Sequence, residues 1–400
     1  MFFCVILTSR KINEMSLVGS KDLKLFFKWL TLGGILPTEK YKYLFAIYSV
    51  FINTNVILLF PLTLILDIMK QDNKQAAMER LSTVLAIVAF SIKHITLFFS
   101  LKQLRNMTDI LHKLDQRIEN CEGRLSIEKV LRLCKQVCFS WIGMVYTTVL
   151  VYTAGRLYAG HKLILSAWFP FDVEDEFKVW IAFAYQFILL LFMSLQSVLH
   201  DIFPVISLML LTAHLKALKT RIKQIGENNE KADVAFNQLV VCIEHHKTVL
   251  RLFAEISSVA KNIITLQFGV TTFCLCTEAV NIVLIPRPTF EKLTHYLELG
   301  VFMLQVFPPC YCMNRVIEEN ARLTESIYYC NWIDQDSKFR KSLIIFMENT
   351  QEDVALLVGN IIPVNLSTFI IKFSFSVFTL LNEHGIGVTC TNFHQLYIWL

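Results

Sequence analysis

The chain is 400 residues long, 54% hydrophobic and only 18% charged, with a mean hydropathy of +0.49 and a formal net charge of +5. Ordinary soluble domains run at about 45–50% apolar and about 25% charged, which speaks against a soluble multidomain enzyme. With 32 Phe against 13 Gly and 9 Pro, a disordered or collagen-like chain is excluded too.

In chain order, Phe2 to Leu7 is apolar but short, and Arg10 and Lys11 follow it instead of preceding it, so no secretory signal is read. Seven apolar runs then approach or exceed the roughly 20 residues that a membrane-spanning helix needs. They occupy 43–66, 81–101, 136–155, 179–215, 262–286, 293–314 and 354–382. Their interruptions are few: Lys93, Asp201, Glu278, Glu298 and Lys372. Taken to their helix ends, the predicted spans are about 43–66, 81–101, 136–157, 179–212, 259–286, 293–315 and 356–382. The fourth is read as one helix continuing past the bilayer through Pro204, because splitting it at Asp201 leaves a second piece too short to cross. The 11 Cys are odd in number and scattered through these runs, as buried small residues are, so no disulfide framework is expected.

Basic residues give the spans a direction. Residues 1–40 and the loops 101–133, 213–256 and 318–353 hold 24 Lys and Arg, whereas 67–80, 159–177, 287–292 and 383–400 hold six. The positive-inside rule therefore places the N-terminus and the longer loops in the cytoplasm and the C-terminus outside. G-protein-coupled receptors run the other way, and their signatures are missing: no Asp-Arg-Tyr closes span three, and span seven carries Asn360-Ile-Ile-Pro363. The sequons at Asn106 and Asn365 fall in a cytoplasmic loop and within a span, so neither is expected to carry sugar.

The longer loops are patterned as helices. Leu104, Met107, Leu111, Leu114 and Ile118 form one apolar stripe, broken at Glu122 and Gly123. Leu215, Leu218, Ile222 and Ile225 form another, and Phe236, Leu239, Ile243, Leu250 and Phe253 a third. Such faces need partners, so spans three to six are expected to continue as packed cytoplasmic helices. The fold class is thus an all-α membrane protein. It comprises a cytoplasmic segment 1–40, a seven-helix domain 41–382 with a cytoplasmic anchor region, and a tail 383–400.

The region from Ile317 onward carries a pattern. Tyr328-Tyr-Cys-Asn-Trp332, Phe339-Arg340-Lys341-Ser342-Leu343, Val358-Gly-Asn-Ile-Ile-Pro-Val-Asn-Leu-Ser-Thr-Phe369 and Lys372-Phe-Ser-Phe-Ser-Val-Phe-Thr-Leu-Leu381 follow in order. It resembles the C-terminal region of insect odorant receptors, particularly the fly type, and the loop Trp168-Phe-Pro-Phe-Asp172 is another family-like feature. The resemblance implies a plasma-membrane, multi-pass subunit of an odorant-gated, non-selective cation channel in the dendrite of an olfactory sensory neuron. It would assemble as a heterotetramer with a shared co-receptor subunit. Residues 213–256 leave no room for the insertion that marks the co-receptor, so the chain looks like the tuning subunit. Two features depart from the pattern. Gln351-Glu-Asp353 lacks the Pro that family members often place there, and 384–400 extends past the usual end, read here as an artefact of gene modelling.

By that resemblance the last span lines the pore. Ser367, Ser374, Phe378 and Leu381 fall near one of its faces at steps of 7, 4 and 3, a polar stripe ending in an apolar ring of the kind that gates by dewetting. The bland alternative is that the hydroxyls bond to helix carbonyls and Phe378 merely packs. The family's ligand site lies among spans two, three, four and six in their outer halves, which here contain Phe90, Tyr146, Tyr152, Phe183, Phe187 and Phe302. An apolar, aromatic-walled site suits small volatile odorants, and the two Tyr hydroxyls could orient an oxygenated one. Each aromatic taken singly reads more readily as plain packing, because Phe is so common in this chain. Tyr328, Trp332 and Arg340, on the inner side, are the expected subunit anchor, since aromatics and Arg favour interface cores.

Catalytic and metal readings fail on spacing. Cys274 and Cys276, like Cys310 and Cys312, diverge by about 200° on a helix, and no phosphate loop or nucleophile elbow is present. Glu244-His245-His246 puts its two imidazoles on diverging faces. Basic clusters such as Lys216 to Lys223 follow from topology rather than nucleic-acid binding. No catalytic residue, metal or cofactor is expected; the partners are volatile odorants, the co-receptor and the lipid bilayer. The alternative function is a seven-helix chemoreceptor signalling through a soluble partner such as a G protein. Transport is disfavoured because no inverted repeat is visible.

Overall fold

The structure, a computed structural model, describes residues 28–36, 41–72, 74–117, 121–171, 175–226, 232–284, 289–351 and 354–371. Among them run α1 (Lys42–Met69), α2 (Lys74–Phe99), α3 (Leu101–Gln116), α4 (Cys121–Tyr158), α5 (Glu176–Lys223), α6 (Ala232–Leu284), α7 (Thr289–Tyr328) and α8 (Ser337–Thr350). A hairpin of β1 (Leu357–Val358) and β2 (Ile362–Pro363) precedes a last helix, α9, over 366–371.

The apolar runs become helices because they offer long stretches without breakers, and their ends are set by ordinary capping. Asp175 starts α5 by accepting from the Phe177 N–H at 3.1 Å, Glu176 complements the positive helix end, and Arg221 and Lys223 the negative one. Pro204 lies inside α5 without interrupting it, as expected for a single long fourth helix. Asp336 starts α8 in the same manner, accepting from Phe339 N–H at 2.8 Å. α1 is not regular: Thr54–Leu59 is a π turn, followed by Pro61 at the start of its outer half.

Five helices among the described residues, in α1, α2, α4, α5 and α6, are long and apolar enough to cross a membrane. α7 carries the sixth run, and α9 opens the seventh. The expected start of span seven at 356 is corrected. Val358 pairs antiparallel with Ile362 across a turn in which Gly359 and Asn360 both have positive φ, 59° and 61°. Those two are the central residues of a β-turn closed by Ile361 N–H donating to Val358 O at 3.1 Å, a turn that an α-helix cannot contain. The helix begins only after Asn365, whose Oδ1 accepts from Thr368 N–H at 2.8 Å.

α5 sits at the centre, packed on α4, α6 and α7, while α2 and α3 line α6 and α8 closes over α6 and α7. The core of the basic-loop end is built from the stripes read in the sequence. Leu104, Met107, Leu111 and Leu114 of α3, Leu215, Leu218 and Ile222 of α5, and Leu239 of α6 are all buried together. Their faces pack on one another rather than lying on a lipid surface. Ile118 lies outside the described residues, as do Lys372 and the tail 383–400.

Candidate functional site

At the opposite end of the bundle a second apolar cluster forms between α1, α2, α5 and the loop after α4. Its buried members include Val56, Phe60 and Leu64 of α1, Val84, Ile87 and Phe90 of α2, and Leu189 and Met193 of α5. The loop folds inward instead of trailing over the surface, so that Ile164, Leu165 and Ala167 are buried. A loop carried into an apolar interior must have its backbone groups satisfied, and Gln186 of α5 does this. Its Oε1 accepts from both Ile164 and Leu165 N–H at 3.1 Å, and its Nε2 donates to Leu165 O at 2.8 Å. Arg156 Nε donates to Ile164 O from the other side, at 3.1 Å. The rest of the loop closes on α1: Trp168 N–H donates to Thr63 O at 3.0 Å, and Lys70 Nζ lies 4.5 Å above the Trp168 ring.

Four of the six sequence-predicted ligand aromatics meet here. Phe90 is buried, and Tyr152, Phe183 and Phe187 line the same cluster, the last two stacked at 6.4 Å. Phe60 and Phe169 meet Tyr185 edge-on, each at 6.3 Å, while the Tyr185 hydroxyl donates to Asn55 Oδ1 at 3.3 Å. The other two candidates are not part of it. Tyr146 donates its hydroxyl to Leu191 O at 3.3 Å, and Phe302 is half-buried on α7, where Gly300 lies against Met144 of α4.

Beneath Phe90 the cluster has a polar floor. The rings of Phe90, His94 and His200 lie 5.2–5.7 Å apart, and His94 Nε2 is hydrogen-bonded to Asn53 Oδ1 at 2.8 Å. His200 is fully buried, and neither of its ring nitrogens has a protein partner. From the adjacent positions, Lys93 Nζ is 2.6 Å from Asp201 Oδ1, with both side chains at most 4% exposed. Two of the intramembrane charges thus neutralise one another.

Glu278 is engaged by Ser82 Oγ, which donates to its Oε1 at 2.6 Å, and by His295 Nδ1 at 2.7 Å from its Oε2. Glu298 reaches the same imidazole at 4.0 Å. A His and two carboxylates thus converge from two helices, a grouping that local spacing within either helix does not reveal.

Sequence reasoning that tracked only Asp, Glu, Lys and Arg missed Gln186, His94, His200 and His295. The signal was available in each case, since a Gln or His within an apolar run needs a partner.

At the basic-loop end, Phe339, Leu343 and Phe346 of α8 are buried, while Ile344 and Ile345 on its other face are more than half exposed. Tyr328, at the end of α7, and Tyr329 and Ile333, in the turn before α8, are exposed as well. Of the three predicted anchor residues, Tyr328 and Arg340 are exposed, and Trp332 donates its indole N–H to Tyr328 O at 3.1 Å. Nearby, His214, His245 and His246 are buried. Burial holds them at about pKa 4, 3 and 4, with neighbouring His214, Arg117, Arg221 and His246 adding to the depression at His245. Burial works to raise the Glu319 carboxyl, but its hydrogen bond to Lys219 and the charges of Lys219, Lys216 and Arg322 keep it below its ordinary value.

Of the predicted pore residues, Ser367 is exposed on α9, while Phe369 turns inward against Phe307 at 5.3 Å. Thr368 donates its hydroxyl to Pro363 O, in β2, at 2.7 Å. Ser374, Phe378 and Leu381 lie outside the described residues.

Comparison with known proteins follows the same lines. A family profile described as 7tm Odorant receptor matches residues 73–375. The chain is 26% identical over 372 residues to Odorant receptor 2a of Drosophila melanogaster, covering 88% of this chain and 94% of that protein. It is 28% identical over 309 residues to Odorant receptor 42b of the same species, covering 74% and 75%. Its fold resembles that of the insect olfactory receptor OR5 from Machilis hrabei, with a TM-score of 0.79 at 15% identity, covering 91% of this chain and 97% of that one. The same receptor in complex with eugenol gives 0.78 at 16% identity.

Proposed function

The chain belongs to the 7tm odorant receptor family, and from that premise we propose that it is the odorant-binding subunit of an odorant-gated, non-selective cation channel formed with a shared co-receptor in a sensory neuron. The observation that carries the ligand half of this reading is the aromatic cluster sealed by the inward loop. Its walls are Phe and aliphatic, and its floor offers two imidazoles. Such a site suits a small, mostly apolar molecule with one hydrogen-bonding group, and the eugenol complex of the Machilis receptor agrees with that chemistry.

Phe90, Tyr152, Phe183 and Phe187 are the proposed contact residues, with Tyr146 and Phe302 in a second rank behind them. Ligand that binds better to one arrangement of the helices shifts the population toward it. In this reading the shift reaches a pore lined by the last span, with Ser367 and Ser374 on its polar face and Phe378 and Leu381 at the gate. The exposed face of Tyr328, Ile333, Ile344 and Ile345 supports docking of other subunits at the basic-loop end, with Trp332 and Arg340 beside it.

Co-expression with an insect co-receptor, patch-clamp recording and an odorant panel of esters, alcohols, acids and phenols test the proposal. Odorant-evoked current that persists with G-protein signalling blocked is expected. In Phe183→Leu and Phe187→Leu, half-maximal concentrations should move about tenfold, the equivalent of about 1.4 kcal/mol, at unchanged surface expression. Current that disappears under the block would transfer the function to a soluble transducer.

A further inference from the structure

We infer that Glu278, His295 and Glu298 form a binding site for a divalent transition-metal ion of the zinc type. Glu278 lies near the end of α6, and His295 and Glu298 lie three residues apart on one face of α7. Around a tetrahedral ion with bonds of about 2.0–2.2 Å, donor atoms stand about 3.3 Å from one another. Here His295 Nδ1 is 2.7 Å from Glu278 Oε2 and 4.0 Å from Glu298 Oε2, and all three donor atoms fall within 4.8 Å. Shifts of about an ångström or less would bring them onto one ion.

The surroundings are those of a metal site as well. Ser82 Oγ, from α2, holds Glu278 Oε1 at 2.6 Å, which orients the carboxylate and leaves Oε2 turned to the imidazole. Glu278 is 1% exposed, so its charge is desolvated. Two carboxylates around one imidazole remain net negative even when the imidazole is protonated, a charge that a dication neutralises. His295 and Glu298 are 12% and 23% exposed, which leaves an open side for entry and for a water ligand. One nitrogen and two carboxylate oxygens suit zinc, nickel or copper. Calcium takes six to eight oxygens, and magnesium is bound chiefly through water and carboxylate. Because the donors come from α6 and α7, and Ser82 from α2, an ion here would pin three helices together.

The inference is independent of odorant binding and is tested without it. The full chain is purified in detergent, and its thermal unfolding is followed by Trp fluorescence during titration with ZnCl2. A saturable rise in midpoint of about 4 °C is expected at about a hundredfold the dissociation constant, with no such rise in MgCl2 or CaCl2. His295→Ala should abolish it. Glu298→Gln, at the most exposed of the three ligands, should weaken apparent affinity at least tenfold. Cobalt loading should give the visible absorption of a four-coordinate ion in the wild type and not in His295→Ala. An absent rise in the wild type, or an equal rise in both variants, would leave the triad as a hydrogen-bonded imidazole–carboxylate bridge and overturn the inference.

Discussion

Replacing Lys93 or Asp201 singly should destabilise the receptor far more than replacing both. The two groups are 2.6 Å apart and at most 4% exposed. Coulomb's law at 2.6 Å and an effective dielectric of about 20 gives an attraction of about 6 kcal/mol. Burying the two ions costs several kcal/mol each, so the pair contributes little net stability. Removing one partner keeps the desolvation cost of the other and loses the attraction, for a penalty of about 3–5 kcal/mol. Lys93→Met and Asp201→Leu should therefore each lower the thermal midpoint of the detergent-purified receptor by about 6–10 °C. The double variant Lys93→Met/Asp201→Leu should recover at least about 2 kcal/mol of the summed loss, a coupling that a double-mutant cycle measures. Additive effects across the cycle would refute the reasoning, because they would mean that each charge is separately solvated.

Two further outcomes follow from the site and the anchor. His214, His245 and His246 are held below their ordinary values by burial, so the unfolded chain binds more protons than the folded one between about pH 4 and pH 6.5. Stability should fall as pH drops through that window, by about 1 kcal/mol per histidine on going from pH 7 to 5.5; unfolding midpoints that ignore pH, or that shift equally in a His245→Phe/His246→Leu variant, would contradict this. Gln186→Leu removes the acceptor for two buried N–H groups of the inward loop, at about 1–3 kcal/mol each. It should raise half-maximal odorant concentrations across the whole panel instead of reordering them, and a selective effect on one odorant class would make Gln186 a ligand contact.

The helices were legible in the sequence because burial in lipid or in a packed bundle demands long unbroken apolar runs, and basic residues mark one side of them. The 3.6-residue stripes of α3 and α5 were legible for the same reason and end up buried, whereas of the α6 stripe only Leu239 is buried and Phe236, Ile243 and Phe253 pack part-exposed against the same core. Pairing was not. Lys93 and Asp201 are 108 positions apart, and no periodicity within either helix states which of the intramembrane charges the other will meet. The hairpin at 357–363 carried its own signal in Gly359 and Asn360, two residues tolerant of positive φ, but the apolar residues around them read as helix. Of the ligand aromatics, Phe90, Tyr152, Phe183 and Phe187 converge, whereas Tyr146 and Phe302 diverge. Outer-half position alone cannot distinguish them, since the loop bearing Ile164 and Leu165 decides which faces of α4 and α5 it covers.

The π turn of α1 has a consequence for how one helix serves two environments. An extra residue in a turn rotates everything beyond it by about 100° relative to a continuous α-helix. Before Thr54, Tyr43, Leu44, Ile47, Val50 and Phe51 are all largely exposed, whereas after it Phe60, Pro61 and Leu64 are buried. The wide turn thus acts as a phase shift in the helical pattern, aiming the outer half of α1 at the aromatic cluster while its inner half faces outward. Deleting the exposed Leu58 would restore the α phase and swing Phe60 and Leu64 out of the cluster, without removing a side chain that lines it.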